Sequence, residues 1–177
     1  MQNITQNEIP NNFVSVKSQK DSDSERVLVV EDDKNLTVLI GYALFEVMND
    51  VEIDWAVSFE SAINQIITEG LKNKIYPYDL IIVDIFLEGF GNGFDLIKVI
   101  HRIYPAVPFL IITSLSHDVV KENLSEMQTK NVIYLKKPFM YADCKTEIGN
   151  IFKIQKITKW GQYEYQSQRL HIVGFDG

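Results

Sequence analysis

A chain of 177 residues, 46% hydrophobic and 23% charged, has the balance of a globular protein and the length to enclose one core of ordinary domain size. Seventeen basic against twenty-four acidic residues leave a formal charge of -7, which argues against an electrostatic grip on nucleic acid by the surface as a whole, so any DNA contact would need a local basic patch. The single cysteine, Cys144, excludes an internal disulfide framework and a Cys-rich zinc site and fits a reducing cytosol.

Residues 1–25 are polar and aperiodic and contain Pro10; they offer too little apolar area to offset the entropy of ordering them, which predicts a flexible leader. This opening lacks the basic start and apolar stretch of a secretory signal. No later run approaches the roughly 20 apolar residues that a bilayer demands, so a soluble cytoplasmic protein without membrane contact is expected. From Arg26 onward short apolar runs alternate with amphipathic segments: RVLVV, VEIDWA, DLIIVD, PFLIITS and NVIYL. Such runs predict strands covered on both faces, as in a parallel sheet. After the first run, Leu36, Leu39, Ile40, Ala43, Leu44 and Val47 recur at helical spacing. The same spacing predicts helices through Phe59, Ala62, Ile63 and Ile66; through Phe94, Ile97, Ile100 and Tyr104; through Val120, Leu124 and Met127; and through Cys144, Ile148, Ile151 and Phe152. Five strands alternating with five helices predict an α/β fold, a doubly wound five-stranded parallel sheet with helices on both faces, over residues 26–156. Residues 157–177 then alternate apolar and polar positions around Gln166 to Gln168, which reads as a hairpin.

Right-handed crossovers bring the loops after the first, third, fourth and fifth strands to the carboxyl edge of such a sheet, where these folds place their sites. Glu31, Asp32 and Asp33 follow the first strand and Asp84 ends the third. Acids converging from independent elements repel one another and either raise a pKa or require a cation. Their hard oxygens suit magnesium. Asp33 by itself reads as a helix cap, whereas Glu31 and Asp32 with Asp84 read as a shared site. Thr113 ends the fourth strand and Lys137 follows the fifth, directly before Pro138. A hydroxyl donor and a compact ammonium flanking a carboxylate are what a phosphoryl group on that carboxylate would need.

With these residues in place the sequence resembles the CheY-like receiver domain of two-component response regulators over about residues 26–153. VLVVEDD matches the family's first strand and acidic pair, which implies that Glu31 and Asp32 take the magnesium positions. LIIVDIFL matches the strand that ends in the phosphoacceptor, implying Asp84; LIITS puts Thr113 in the phosphoryl-binding position; YLKKPF puts Lys137 in that of the paired lysine, with a cis bond before Pro138. Tyr134 falls on the aromatic switch position. The resemblance implies a switch that is not an enzyme on a separate substrate. Asp84 would take phosphate from a phosphohistidine on a sensor histidine kinase, with Mg2+ held by Asp32, Asp84 and the backbone carbonyl of Phe86, and would catalyse its own magnesium-dependent phosphotransfer and dephosphorylation. Homodimerisation through the face of the fourth helix, fifth strand and fifth helix is a further implied partner contact.

The sequence departs from the family between acceptor and third helix. Glu88 stands where a proline is usual, and Gly93 comes nine rather than eight residues after Asp84, through GFGNG, so the loop is one residue longer. A phosphatase of the haloacid dehalogenase type would need a second aspartate where Phe86 stands. A P-loop enzyme would need GxxxxGK, which does not occur, and a phosphate-cradling loop where Glu-Asp-Asp stands. The bulky apolar Phe86 and Leu115, each two residues beyond a site residue, cannot orient a water by hydrogen bonding, so a long-lived phosphorylated state is expected. His101, His117 and His171 read as surface or edge residues and Cys144 as core. WGQYEYQSQRLHIVGFDG resembles the opening strands of a winged-helix output domain, which implies control of transcription, with DNA contact only if an output domain follows. The alternative is a stand-alone receiver working in a phosphorelay or through protein contacts.

Overall fold

The computed structural model describes residues 24–72, 77–125 and 131–154. The leader and the tail hairpin, except for Ser24 and Glu25, lie outside the described residues. Within them are β1 (Glu25–Val30), β2 (Val51–Ala56), β3 (Leu80–Asp84), β4 (Phe109–Thr113) and β5 (Val132–Lys136). They form one parallel sheet in the order β2-β1-β3-β4-β5. The helices are α1 (Lys34–Val47), α2 (Phe59–Gly70), α3 (Gly93–Ile103), α4 (His117–Asn123) and α5 (141–154). The doubly wound α/β sheet expected from the sequence is therefore the fold observed. β1 begins at Glu25, one residue inside the span expected to be a flexible leader. The helical turns of α4 end at Asn123, and Met127, expected to extend them, lies outside the described residues.

Strand residues point alternately to the two faces. Leu28, Val30, Ile81, Val83, Phe109 and Ile111 pack with Ala62, Ile66, Ile97 and Ile100 of α2 and α3 and with Val120 of α4. Val27, Val29, Leu80, Ile82, Leu110 and Ile112 pack with Ile40, Ala43 and Leu44 of α1 and Cys144, Ile148 and Ile151 of α5. Burying side chains of this size contributes about 1.5–3 kcal/mol each, which explains why β3 and β4 are apolar up to their last residue. β2 and β5 are edge strands and are less covered than an all-apolar run would require.

The helix starts are fixed by side chains that satisfy otherwise unpaired N–H groups. Asp33 caps α1 by accepting from the Asn35 N–H at 2.8 Å, as the cap reading expects. Ser58 with Ser61 and Asn92 with Asp95 form reciprocal capping boxes at α2 and α3. No helix among the described residues is long and apolar enough to cross a membrane. From β1 the chain turns to β2 on one side and β3 on the other, so the carboxyl ends of β1 and β3 flank the switch point where a crevice opens.

Candidate functional site

Register carries five side chains to this edge. The Glu31 N–H donates to the Ala56 carbonyl at 3.0 Å, which fixes the start of the first loop. Asp84 ends β3 opposite Ile112 of β4, so Thr113 stands one residue further along the same edge. Thr113 in turn pairs with Lys136, and its carbonyl accepts from the Lys137 N–H at 2.8 Å. The Lys137–Pro138 bond is cis, as the resemblance implied.

The Lys137 ammonium lies 2.7 Å from Asp84 Oδ2 and 2.9 Å from Glu31 Oε2. Asp84 Oδ1 accepts from the Phe86 N–H at 3.1 Å, and Glu31 Oε1 from the Asp33 N–H at 3.2 Å. Carboxylate oxygens of Glu31, Asp32 and Asp84 lie within 4.8 Å of one another. Glu31, Asp84 and Thr113 are buried while Asp32 is exposed, so two of the three acids are withdrawn from solvent and one faces it. Burial pushes the Glu31 carboxyl up against the opposing pull of Lys137. For Lys137, burial alone would lower the ammonium; hydrogen bonds to Asp84 and Glu31 outweigh it and leave the group raised. One ammonium thus pairs with two of the three clustered acids, and a hard divalent cation fits the remaining negative charge and the oxygen donor set.

The loop after Asp84 accommodates its additional residue before Gly93. A Cβ on Gly93 would lie 2.2 Å from the Asp84 carbonyl oxygen and 2.7 Å from the Ile85 Cα, so only glycine can approach the end of β3 this closely. The Gly93 N–H donates to the Ile85 carbonyl at 3.0 Å and closes the loop. Within the loop Gly89 stands at φ 110°, and Glu88 forms a parallel bridge with Ser58. Glu60 of α2 accepts from the Phe90 N–H at 2.8 Å. Sequence reasoning missed Ser58 and Glu60: the cap pattern at α2 was the available signal, but it says nothing of a second loop bonded to it.

Tyr134 is half-buried and its hydroxyl donates to the Leu115 carbonyl in the loop after β4. Its ring meets that of His117 edge-on, with centroids 5.6 Å apart. His117 is exposed, as expected, yet its ring packs on Tyr134. Phe86 is 57% exposed, whereas Leu115 is half-buried and packs on the core. Cys144 is wholly buried in the core, which pushes its thiol up to about 11.

A family model described as the response regulator receiver domain matches residues 27–148. No curated protein matches the chain. Among solved structures, the non-phosphorylated HemR receiver domain from Leptospira biflexa is 24% identical, covering 72% of this chain and 94% of that one, with a TM-score of 0.60. CheY4 of Vibrio cholerae is 18% identical over 72% of this chain and 98% of its own, with a TM-score of 0.58. The Mn(2+)-bound form of the response regulator Rcp1 is 20% identical over 72% and 91%, with a TM-score of 0.57. At these identities the likeness is one of fold.

Proposed function

Since the chain belongs to the response regulator receiver domains, which are phosphorylation-dependent switches implying interaction with histidine kinases, we propose that Asp84 is the phosphoacceptor and that its phosphoryl group comes from a phosphohistidine on a sensor histidine kinase. The observation that carries this reading is the Lys137 ammonium bonded to both Asp84 and Glu31, across three separate elements of the sheet. In the transfer, an Asp84 carboxylate oxygen attacks phosphorus as the phosphorus–nitrogen bond of the donor breaks, and the imidazole leaves with the electron pair. The Phe86 N–H, on Oδ1, orients the carboxylate. Lys137 supplies a positive charge for the phosphoryl oxygens and Thr113 a hydroxyl donor.

Glu31, Asp32, Asp84 and the backbone carbonyl of Phe86 would hold Mg2+. When bound, the ion supplies charge neutralisation between the acids and the incoming phosphoryl oxygens. The Mn(2+)-bound form of Rcp1 supports a divalent cation in this family. Asp32, exposed to solvent, is the ligand on which the site depends more; Glu31 is already engaged by Lys137 and the Asp33 N–H.

Signalling follows from the contacts around Thr113. A phosphoryl group on Asp84 draws Thr113 inward, and Tyr134, bonded to the neighbouring Leu115 carbonyl, shifts the population of the α4, β5 and α5 face, which mediates homodimerisation. Transcription as the output rests on the likeness of residues 157–177 to the opening of a winged-helix domain, and the protein works in the cytoplasm.

Labelling with acetyl phosphate, with and without Mg2+, tests the site. Labelling should require magnesium, and Asp32→Ala should weaken that requirement's midpoint more than Glu31→Ala does, by about tenfold or more for direct ligation. Equal labelling in excess chelator would contradict the metal reading.

A further inference from the structure

Three consecutive residues at the start of α2 grip the outer limb of the loop that follows Asp84. Glu88 bridges to Ser58 in strand fashion. Gly91 lies so close to Phe59 that a Cβ there would stand 2.6 Å from the ring. The Glu60 carboxylate takes the Phe90 N–H at 2.8 Å, and a Cβ on Gly89 would fall 2.4 Å from Glu60 Oε2. The Phe90 side chain is fully exposed and contributes no packing, so the loop tip depends on its backbone contacts. The inner limb is anchored at the other end, by the Phe86 N–H on Asp84 and the Gly93 N–H on the Ile85 carbonyl.

Phe86 itself is part of the inner anchor, two residues before the Glu88 bridge, so its backbone is held close to both fastenings. A loop with three glycines pays a large entropy on ordering, and fastening its tip reduces what remains to be lost when a ligand binds. The Phe90 N–H, the foremost influence on it, holds the Glu60 carboxyl below the usual carboxylate range, in keeping with a bond made to the charged form. From this arrangement we infer that Glu60 is a positioning residue, whose carboxylate clasps the loop after Asp84 and thereby raises the magnesium affinity of the site through Phe86. The inference rests on the proposed magnesium site and adds a group that touches neither metal nor phosphate.

The test uses the full chain and the variants Glu60→Ala, Glu60→Gln and Glu60→Asp. Hydrogen exchange of the amides of residues 86–92, without metal, reads the clasp; titration calorimetry with Mg2+ reads the consequence. Glu60→Ala should speed exchange of the Phe90 amide by about fivefold or more. It should also weaken Mg2+ by about tenfold, in the range lost when residues outside the ligand set are removed. Glu60→Gln keeps an oxygen of the same reach and should restore both within about twofold. Glu60→Asp keeps the charge in the first turn of α2 but is one methylene shorter, so it should resemble Ala. If Asp behaves as the parent, the charge at the helix start is the active feature and the clasp is overturned. Unchanged exchange and unchanged affinity in Glu60→Ala would overturn it as well. A parent that binds no Mg2+ while Glu60→Ala still frees the loop would overturn the metal half and leave the clasp standing.

Discussion

Gly93 shows how narrowly the backbone at Asp84 is held. The space a Cβ would occupy already contains the Asp84 carbonyl oxygen and the Ile85 Cα, both backbone atoms that cannot rotate away. Gly93→Ala should therefore cost about 1–3 kcal/mol of unfolding free energy by overpacking. A urea titration that finds the variant within a few tenths of the parent would show that the loop yields freely. A glycine in this loop was legible as GFGNG, but spacing along the chain does not say which glycine meets the end of β3, because that contact is made through backbone atoms. Asp84, Thr113 and Lys137 were legible because each closes or follows an apolar run whose direction in the sheet is fixed. Glu60 was not legible, since its partner is a backbone N–H thirty residues on, and a backbone donor leaves no trace in the side-chain pattern.

Among elements, the loops after β3 and β4 differ in what their apolar residues do. The shielding expected of Phe86 and Leu115 together is divided by the structure: Leu115 packs on the core, while Phe86, two residues after Asp84, is more than half exposed. Of the two, Phe86 is the side chain left exposed in the loop after Asp84, so the expected shielding rests on it. Phe86→Asn, which offers polar groups to orient that water, should speed loss of phosphate by about tenfold, equivalent to about 1.4 kcal/mol of barrier. The decay of phosphorylated protein, followed after removal of donor, gives the rate; an unchanged rate would move the control of lifetime to the loop itself. The helices were legible through their apolar stripes, and α1, α2 and α3 fall where the spacing placed them. Edge-strand exposure was not, because a run such as VEIDWA carries the same signal of strand whether or not a neighbour covers it.

Across the molecule, stability at low pH is expected to depend on a cluster that shares no residue with the Asp84 site. Arg26 of β1 pairs with Glu69 of α2 and, at 2.7 Å, with Asp54 of β2, and its guanidinium lies 5.4 Å from the centre of the Tyr78 ring. The Arg26 hydrogen bond, aided by Lys72 and opposed by burial, brings the Glu69 carboxyl down from the ordinary 4.5 to about 2. A carboxyl lowered on folding contributes stability that is fully present above 4.5 and is lost as pH falls toward 2. Glu69→Gln should therefore cost about 1.5–3 kcal/mol near pH 6, the worth of a hydrogen bond to a charged group, and progressively less below pH 4.5. Urea midpoints for the two proteins that stay parallel from pH 6 to pH 3 would contradict this assignment. No motif announces such a cluster; it arises only when β1, β2 and α2 have packed. The central claim, that Asp84 carries the phosphoryl group, is tested most directly by intact-mass measurement after incubation with acetyl phosphate and Mg2+, followed by borohydride reduction to mark the acylated residue. The parent should gain a single labile phosphoryl group mapped to Asp84, and Asp84→Asn should gain none; an adduct of the same lability persisting in Asp84→Asn would contradict the account.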